Sequence, residues 1–314
     1  MNNNQISRRR FIGTGALGVA GAMLLSKTSF AKAVWDLAAD KPNSIISGVQ
    51  IGVITYSFRS MPGTIEDLLK YCIECNINAI ELMGEAAEAY AGLPKREQGQ
   101  SGPDRAKVVA QWRATVAMDK FKEIRKMYND AGVTIYAWKP SALEARNTDE
   151  EIVYAFNAGK ALGASHCTVE LPNEAQTKRL GDLGTKHQFK IGYHAHAQAT
   201  PTLWDAAMAQ SKYNCINLDA GHYIAGTNIS PAEFIEKNHE RIVSMHLKDR
   251  KFNNGPNTPW GEGETPIKDL LQLVKKKKYK FPVTIEYEYN TPQGSNAVAE
   301  VKKCRDFAEQ ALKG

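Results

Sequence analysis

The sequence predicts an α/β chain folded as a single (β/α)8 barrel, and three observations lead there. Eight short apolar runs alternate with eight stretches of helical spacing, the pattern of a parallel sheet with crossover helices. The pairs spread over about 265 residues, which suits an eightfold barrel. No G-x-G-x-x-G follows the first run, which weakens the runner-up, a doubly wound sheet. Length and composition agree: 314 residues, 43% hydrophobic and 24% charged, are ordinary for one globular domain with extras.

In chain order, strands are expected at 50–55, 78–82, 133–138, 165–170, 189–194, 214–219, 241–247 and 282–287. Helices are expected near 64–75, 116–130, 149–161, 174–186, 200–210, 231–238, 265–276 and 298–312. Two connections are long, 84–112 after the second strand and 248–264 after the seventh. Both follow strand C-termini, where barrels build their sites, so they are lid or substrate-loop candidates. The run Lys275–Lys278 reads as a solvated helix C-terminus favoured by the dipole.

Residues 1–33 read as an export signal. Arg8 and Arg9 precede an apolar stretch from Phe11 to Leu25, and Ala31-Lys32-Ala33 offers a small-x-small cleavage site. That stretch is too short and too weakly apolar for a comfortable membrane span. The order Ser7-Arg8-Arg9-x-Phe11-Ile12 resembles the twin-arginine signal, with a Sec signal or an uncleaved anchor as alternatives. A periplasmic location follows, with a linker over 34–47 and the barrel over 48–314. The net charge of +6 belongs mostly to the signal, which carries five basic residues and no acid. Without it, 35 basic and 34 acidic residues leave +1, which argues against a nucleic-acid surface.

Five cysteines do not make a disulfide framework. Cys72 and Cys75 form a C-x-x-C pair inside "TIEDLLKYCIECNI", whose helical periodicity marks them as core filler rather than a redox motif.

The chemistry sits where the strands end. The second ends in Glu81, the fourth in Glu170, and the fifth in His194 followed by His196. The sixth ends in Asp219, then His222; the seventh gives His246, Lys248 and Asp249; the eighth gives Glu286. In a barrel these ends converge on one rim. Glu170, Asp219, His246 and Glu286 then bring three carboxylates and one imidazole around one point. Such anions raise one another's pKa unless a cation joins them. One divalent ion removes that penalty, with Mn2+, Mg2+ or Co2+ favoured by the oxygen-rich set and Zn2+ as an alternative. His222 stands one turn beyond a ligand, placed to touch substrate or orient that ligand.

The strings "VELP", "YHAHA", "LDAGHY", "HLKD", "WGEGE" and "TIEYE", in this order, resemble the xylose isomerase-like TIM barrels, the superfamily of sugar phosphate isomerases and epimerases. The resemblance covers residues 48–312. It implies that Glu170, Asp219, His246 and Glu286 hold the metal, and that His222 and His194 contact substrate. Whether His194 or His196 faces the site stays open. Glu81 and Lys248 join the substrate-binding set, Lys248 by stabilising developing oxyanion charge, with a structural rim salt bridge to Asp249 as its equal alternative. Trp138, Trp260 and Tyr223 are candidates for an apolar wall under a sugar ring, with core packing as the equal alternative.

The resemblance also implies the reaction: an enediolate formed from a ketose, with Glu170 and Glu286 exchanging the proton from opposite faces. The same enediolate can expel a β-group, so a lyase or dehydratase acting on keto-sugars or 3-keto-glycosides is the alternative, favoured by export. A metal-dependent nuclease and a non-catalytic sugar-binding barrel rank below these. The expected partner is a small carbohydrate, with a homo-oligomer as a further option and the membrane involved only through the export signal.

Overall fold

A computed structural model describes residues 41–314, so the export-signal reading of 1–33 lies outside the described residues. Within them the eight strands are β1 Val49–Ile54, β2 Ala79–Met83, β3 Thr134–Lys139 and β4 His166–Glu170, then β5 Lys190–His194, β6 Asn214–Asp219, β7 Ile242–Leu247 and β8 Val283–Ile285. Every neighbouring pair is parallel, β8 pairs with β1, and β1 pairs with β2, which closes the barrel. No helix among the described residues is long and apolar enough to cross a membrane.

The order of the strands decides what the rim can do. In the closed ring β4 lies across from β8, and β5, β6, β7 run side by side between them. Strand registers put Asp219 level with His246 and Glu170 level with His194, so the strand-end groups share one layer.

A short hairpin precedes β1. Ile45–Ile46 pairs antiparallel with β1 inside the stretch expected to be linker, because two apolar residues meet the left-handed turn Ser47-Gly48. Ser44 Oγ ties this segment to Ile51 O at 2.6 Å and to Asn78 Oδ1 at 2.7 Å. It therefore extends the barrel at the end away from the site.

The helices form where the sequence caps them. Helix α1, Ile65–Glu74, starts at a Thr64–Asp67 capping box, and both Cys72 and Cys75 on this segment are buried free thiols. The expected long loop 84–112 is largely helical, as α2 Gly84–Tyr90 and α3 Gly102–Thr115. After α4, Asp119–Asp130, comes α5, Asp149–Leu162, opened by a second capping box from Thr148 and Glu151. Then follow α6 Glu174–His187, α7 Asp205–Gln210, α8 Ala220–Thr227, α9 Ala232–Asn238, α10 Ile267–Lys277 and α11 Ala297–Lys313. Helix α8 was not expected; Asp219 caps it, accepting from His222 N at 2.7 Å. The second long connection folds back on itself, Asp249–Arg250 pairing with Asn257–Thr258.

Candidate metal centre and sugar site

Strand β6 carries its carboxylate into the barrel mouth because every residue of the strand is buried. One oxygen of Asp219 caps α8; the other, Oδ2, is buried and accepts no hydrogen bond. Lys248 Nζ lies 3.2 Å from it outside hydrogen-bonding geometry. Burial raises this carboxyl to about 7, more than Lys248 lowers it.

His246, level with Asp219 on β7, is fully buried between two acids, Nε2 at 2.7 Å from Glu81 and Nδ1 at 3.2 Å from Glu286. Burial opposes its protonation, yet Glu81 and Glu286 outweigh burial and push the imidazole up to about 10. Burial likewise works against ionised Glu286, and Lys248 followed by His246 holds it well below the ordinary carboxylate range. Lys248 is itself buried, 2.8 Å from Glu286 Oε2 and in direct contact with Glu288. It is the internal counter-ion of this acidic group.

One donor atom each from His194, Asp219, His246 and Glu286 lies within 4.8 Å of the others. Three of the four expected ligands therefore come together, joined by His194. Glu170 stands apart, half exposed on the rim, 2.8 Å from Lys139 and 3.6 Å from His196. Burial raises its carboxyl, and His194 and Lys139 more than offset this, leaving it below the usual value. His194, not the exposed His196, faces the cluster.

Glu81, expected to contact substrate, is wholly buried with both oxygens committed: Oε1 accepts from Thr168 at 2.5 Å and Oε2 meets His246. It orients a ring, as carboxylates behind metal-ligating histidines do. Lys248 forms no rim bridge with Asp249, whose carboxylate instead accepts from the backbone of Gly261, Gly263 and Thr265 and ties the long loop together. His222 places Nε2 at 2.9 Å from Lys248 and Nδ1 at 2.6 Å from Arg250. A neutral imidazole has one lone pair, so it accepts from only one of these cations at a time. Of the two readings of the aromatics, the structure shows core packing rather than a wall under a sugar. Trp138 is in the core donating to Ala155 O at 3.0 Å, Tyr223 packs on Phe234, and Trp260 meets Phe307.

Three participants were missed from sequence. Glu288 follows Glu286 at strand spacing and shares its side; Arg250 does the same after Lys248. Asn217, two residues before Asp219, is a polar residue in an apolar strand body, and that was its available signal. Beside the cluster opens a cleft of about 750 Å3, lined by His196, His222, Arg250 and Asn253 among others. It falls in the size range of small-molecule sites.

The comparisons fit this geometry. The match to L-ribulose-5-phosphate 3-epimerase UlaE of Salmonella paratyphi B is 34% identical over 71 residues, 23% of this chain and only 24% of that protein. A sugar phosphate isomerase/epimerase from Parabacteroides distasonis superposes with a TM-score of 0.57 at 18% identity, covering 83% of this chain and 95% of that one. The probable 3-DHS dehydratase AsbF from Bacillus anthracis superposes with a TM-score of 0.60 at 13% identity, covering 84% and 98%. At these identities the superpositions show a shared fold. The family model described as xylose isomerase-like TIM barrel matches residues 69–307, and with the closed parallel barrel and its rim of acids and imidazoles, this chain belongs to that family.

Proposed function

We propose that the protein is a divalent-metal-dependent sugar isomerase or epimerase. The observation that carries this reading is the buried, hydrogen-bond-free Oδ2 of Asp219, set among donors that converge within 4.8 Å. A buried carboxylate oxygen with no hydrogen bond, its charge met only by Lys248 at 3.2 Å, fits a cation in such company. Asp219, His246 and Glu286 would hold it, and its chemistry is Lewis-acid polarisation of adjacent carbonyl and hydroxyl oxygens of a sugar.

The chain's own part is proton transfer and orientation. Glu170 and Glu286 come from β4 and β8, on opposite walls of the ring, so a sugar between them presents one face to each. Both carboxyls are held below their ordinary value, which keeps them in the base form. One removes the proton beside the carbonyl and the other returns it from the far side. Lys248, which His222 positions through Nε2, would meet developing oxyanion charge.

A second reading is a lyase or dehydratase on keto-sugars or 3-keto-glycosides. The cleft over His196, His222 and Arg250 favours it, since it leaves room beside the reacting ring for a departing group. For the N-terminal segment we keep the twin-arginine reading, testable by fractionating cells that express Arg8→Lys/Arg9→Lys protein. The reaction is tested by incubating Mn2+-loaded protein with free ketoses and 3-keto-glycosides in D2O under NMR. Deuterium appearing beside the carbonyl with sugar retained supports the isomerase. Loss of water or aglycone favours the lyase, and no exchange with any substrate overturns both.

A further inference from the structure

A chain of hydrogen bonds runs through the barrel interior from the end opposite the site. Ser165 Oγ donates to Tyr136 O at 3.0 Å, and His166 Nδ1 lies 2.8 Å from Ser165 Oγ. His166 Nε2 lies 3.0 Å from Ser244 Oγ, Asn217 Nδ2 donates to Ser244 Oγ at 2.7 Å, and Asn217 Oδ1 lies 2.8 Å from His194 Nδ1. His166, Ser244, Asn217 and His194 come from four strands, and all are buried.

The amide of Asn217, nitrogen toward Ser244 and oxygen toward His194, sets the direction of the chain. At the far end Tyr136 O takes both the backbone N–H and the hydroxyl of Ser165, which leaves the hydroxyl oxygen to accept from His166 Nδ1–H. A neutral His166 then offers Nε2 as acceptor, which takes the Ser244 proton. Burial supports that neutral state, pushing His166 down to about 4. Ser244, having donated, accepts from the Asn217 amide, which turns Oδ1 toward His194. A carbonyl oxygen can be met only by an N–H, so His194 carries its proton on Nδ1 and keeps a bare lone pair on Nε2.

We propose that this relay, anchored at a backbone carbonyl at the far end of the barrel, locks His194 in the Nδ1–H tautomer and makes its Nε2 the fourth donor of the metal centre. The donor half rests on the metal-dependent reading above. With Nδ1 committed to Asn217, Nε2 is the atom His194 can offer to the cluster it forms with Asp219, His246 and Glu286. The set then has two nitrogens and two oxygens, which suits Zn2+, Co2+ or Mn2+ and discriminates against Mg2+. Asn217 is a positioning residue, acting on the ion only through the ring it orients.

The test uses full-length protein labelled with 15N in its imidazoles, read by long-range proton–nitrogen correlation, with His194 assigned through His194→Gln. Without metal, His194 is expected to show a pyrrole-type Nδ1 and a pyridine-type Nε2. One equivalent of Zn2+ should move Nε2 and leave Nδ1 pyrrole-type. Asn217→Leu should scramble the tautomer and weaken Zn2+ binding about 10- to 100-fold by calorimetry. If that variant does not fold, the unmodified protein's two spectra decide alone. An Nε2–H tautomer overturns the relay. A zinc response at His246 without one at His194 overturns the donor role and spares the proposed function. No zinc response at any histidine removes the metal-dependent reading and the donor role with it, while the metal-free spectrum still judges the tautomer.

Discussion

Glu170 occupies the C-terminal end of β4 across the mouth from Glu286, and its distance from the cluster gives it a separate job to test. On the proposed two-base mechanism, it should be dispensable for taking the proton from one epimer and indispensable for delivering it to the other face. Glu170→Gln should lower interconversion about 10^2- to 10^4-fold. Exchange of the proton facing Glu286 with D2O should persist, so an equal loss of both would argue against a two-base mechanism. His166 carries a second residue-scale prediction. Its folded-state pKa is depressed by burial, from 6.5 to about 4, so an unfolded chain binds its proton more readily. The stability this ring contributes is full above pH 6.5 and drains away as pH falls toward 4, by about 3 kcal/mol. Urea titrations across that window should show the loss, and His166→Asn should flatten it. Neither assignment was readable in full from the strand ends. Glu170 and Asp219 look alike in sequence, each an acid closing an apolar run. What separates them is that Asp219 is turned inward as the cap of α8, while Glu170 is drawn outward by Lys139.

At the scale of elements, the sequence revealed the segments with a strong period and concealed those held by other forces. The eight strands and helices such as α1, with its capping box and apolar stripe, were legible. Helix α3 was not, because it has no apolar stripe to find; Arg113 anchors it instead. That buried guanidinium bonds Glu88 of α2 at 2.9 Å, Glu151 of α5 at 2.9 Å and Ser141 at 2.9 Å. Arg113→Met leaves two buried carboxylates without their cation and should cost about 3–5 kcal/mol, measured by chemical denaturation. Helix α8 shows the same principle by close approach. A β-carbon on Gly221 would strike both the side chain and the carbonyl of Lys248, and one on Gly226 would strike the Ala197 carbonyl. Gly221 lets α8 press its first turn, with His222, against Lys248, and Gly226 lets its last turn meet Ala197. Gly221→Ala should therefore cost about 1–3 kcal/mol and reduce turnover, because the shifted Lys248 no longer faces Asp219 and Glu286. An alanine variant as stable and active as the parent would show that α8 has slack here.

Closure is the property of the whole molecule that alternating segments could suggest and not prove, and here it has an energetic consequence. The donors that converge at the mouth come from β5, β6, β7 and the end of β8, four consecutive staves of one ring. In an unfolded chain these residues are tens of positions apart and cannot bind one ion together, so a dication would bind the folded ring almost exclusively. At about 100 times its dissociation constant such a ligand adds about 2.7 kcal/mol, or roughly 5 °C in Tm for a domain of this size. Without an ion the ring depends on Lys248 to offset Asp219, Glu286 and Glu288. Lys248→Met should thus be destabilised by about 3–5 kcal/mol in EDTA and recover much of that in Mn2+, since the ion restores the missing positive charge. Asp219→Asn is the matched control, because asparagine still caps α8 while removing the charge the ion needs. Differential scanning calorimetry of the three proteins in EDTA and in Mn2+ separates these effects. The parent should gain stability with the ion, Lys248→Met should gain more, and Asp219→Asn should gain little. Equal melting of the parent with and without Mn2+ would mean that the converging donors hold only their own lysine.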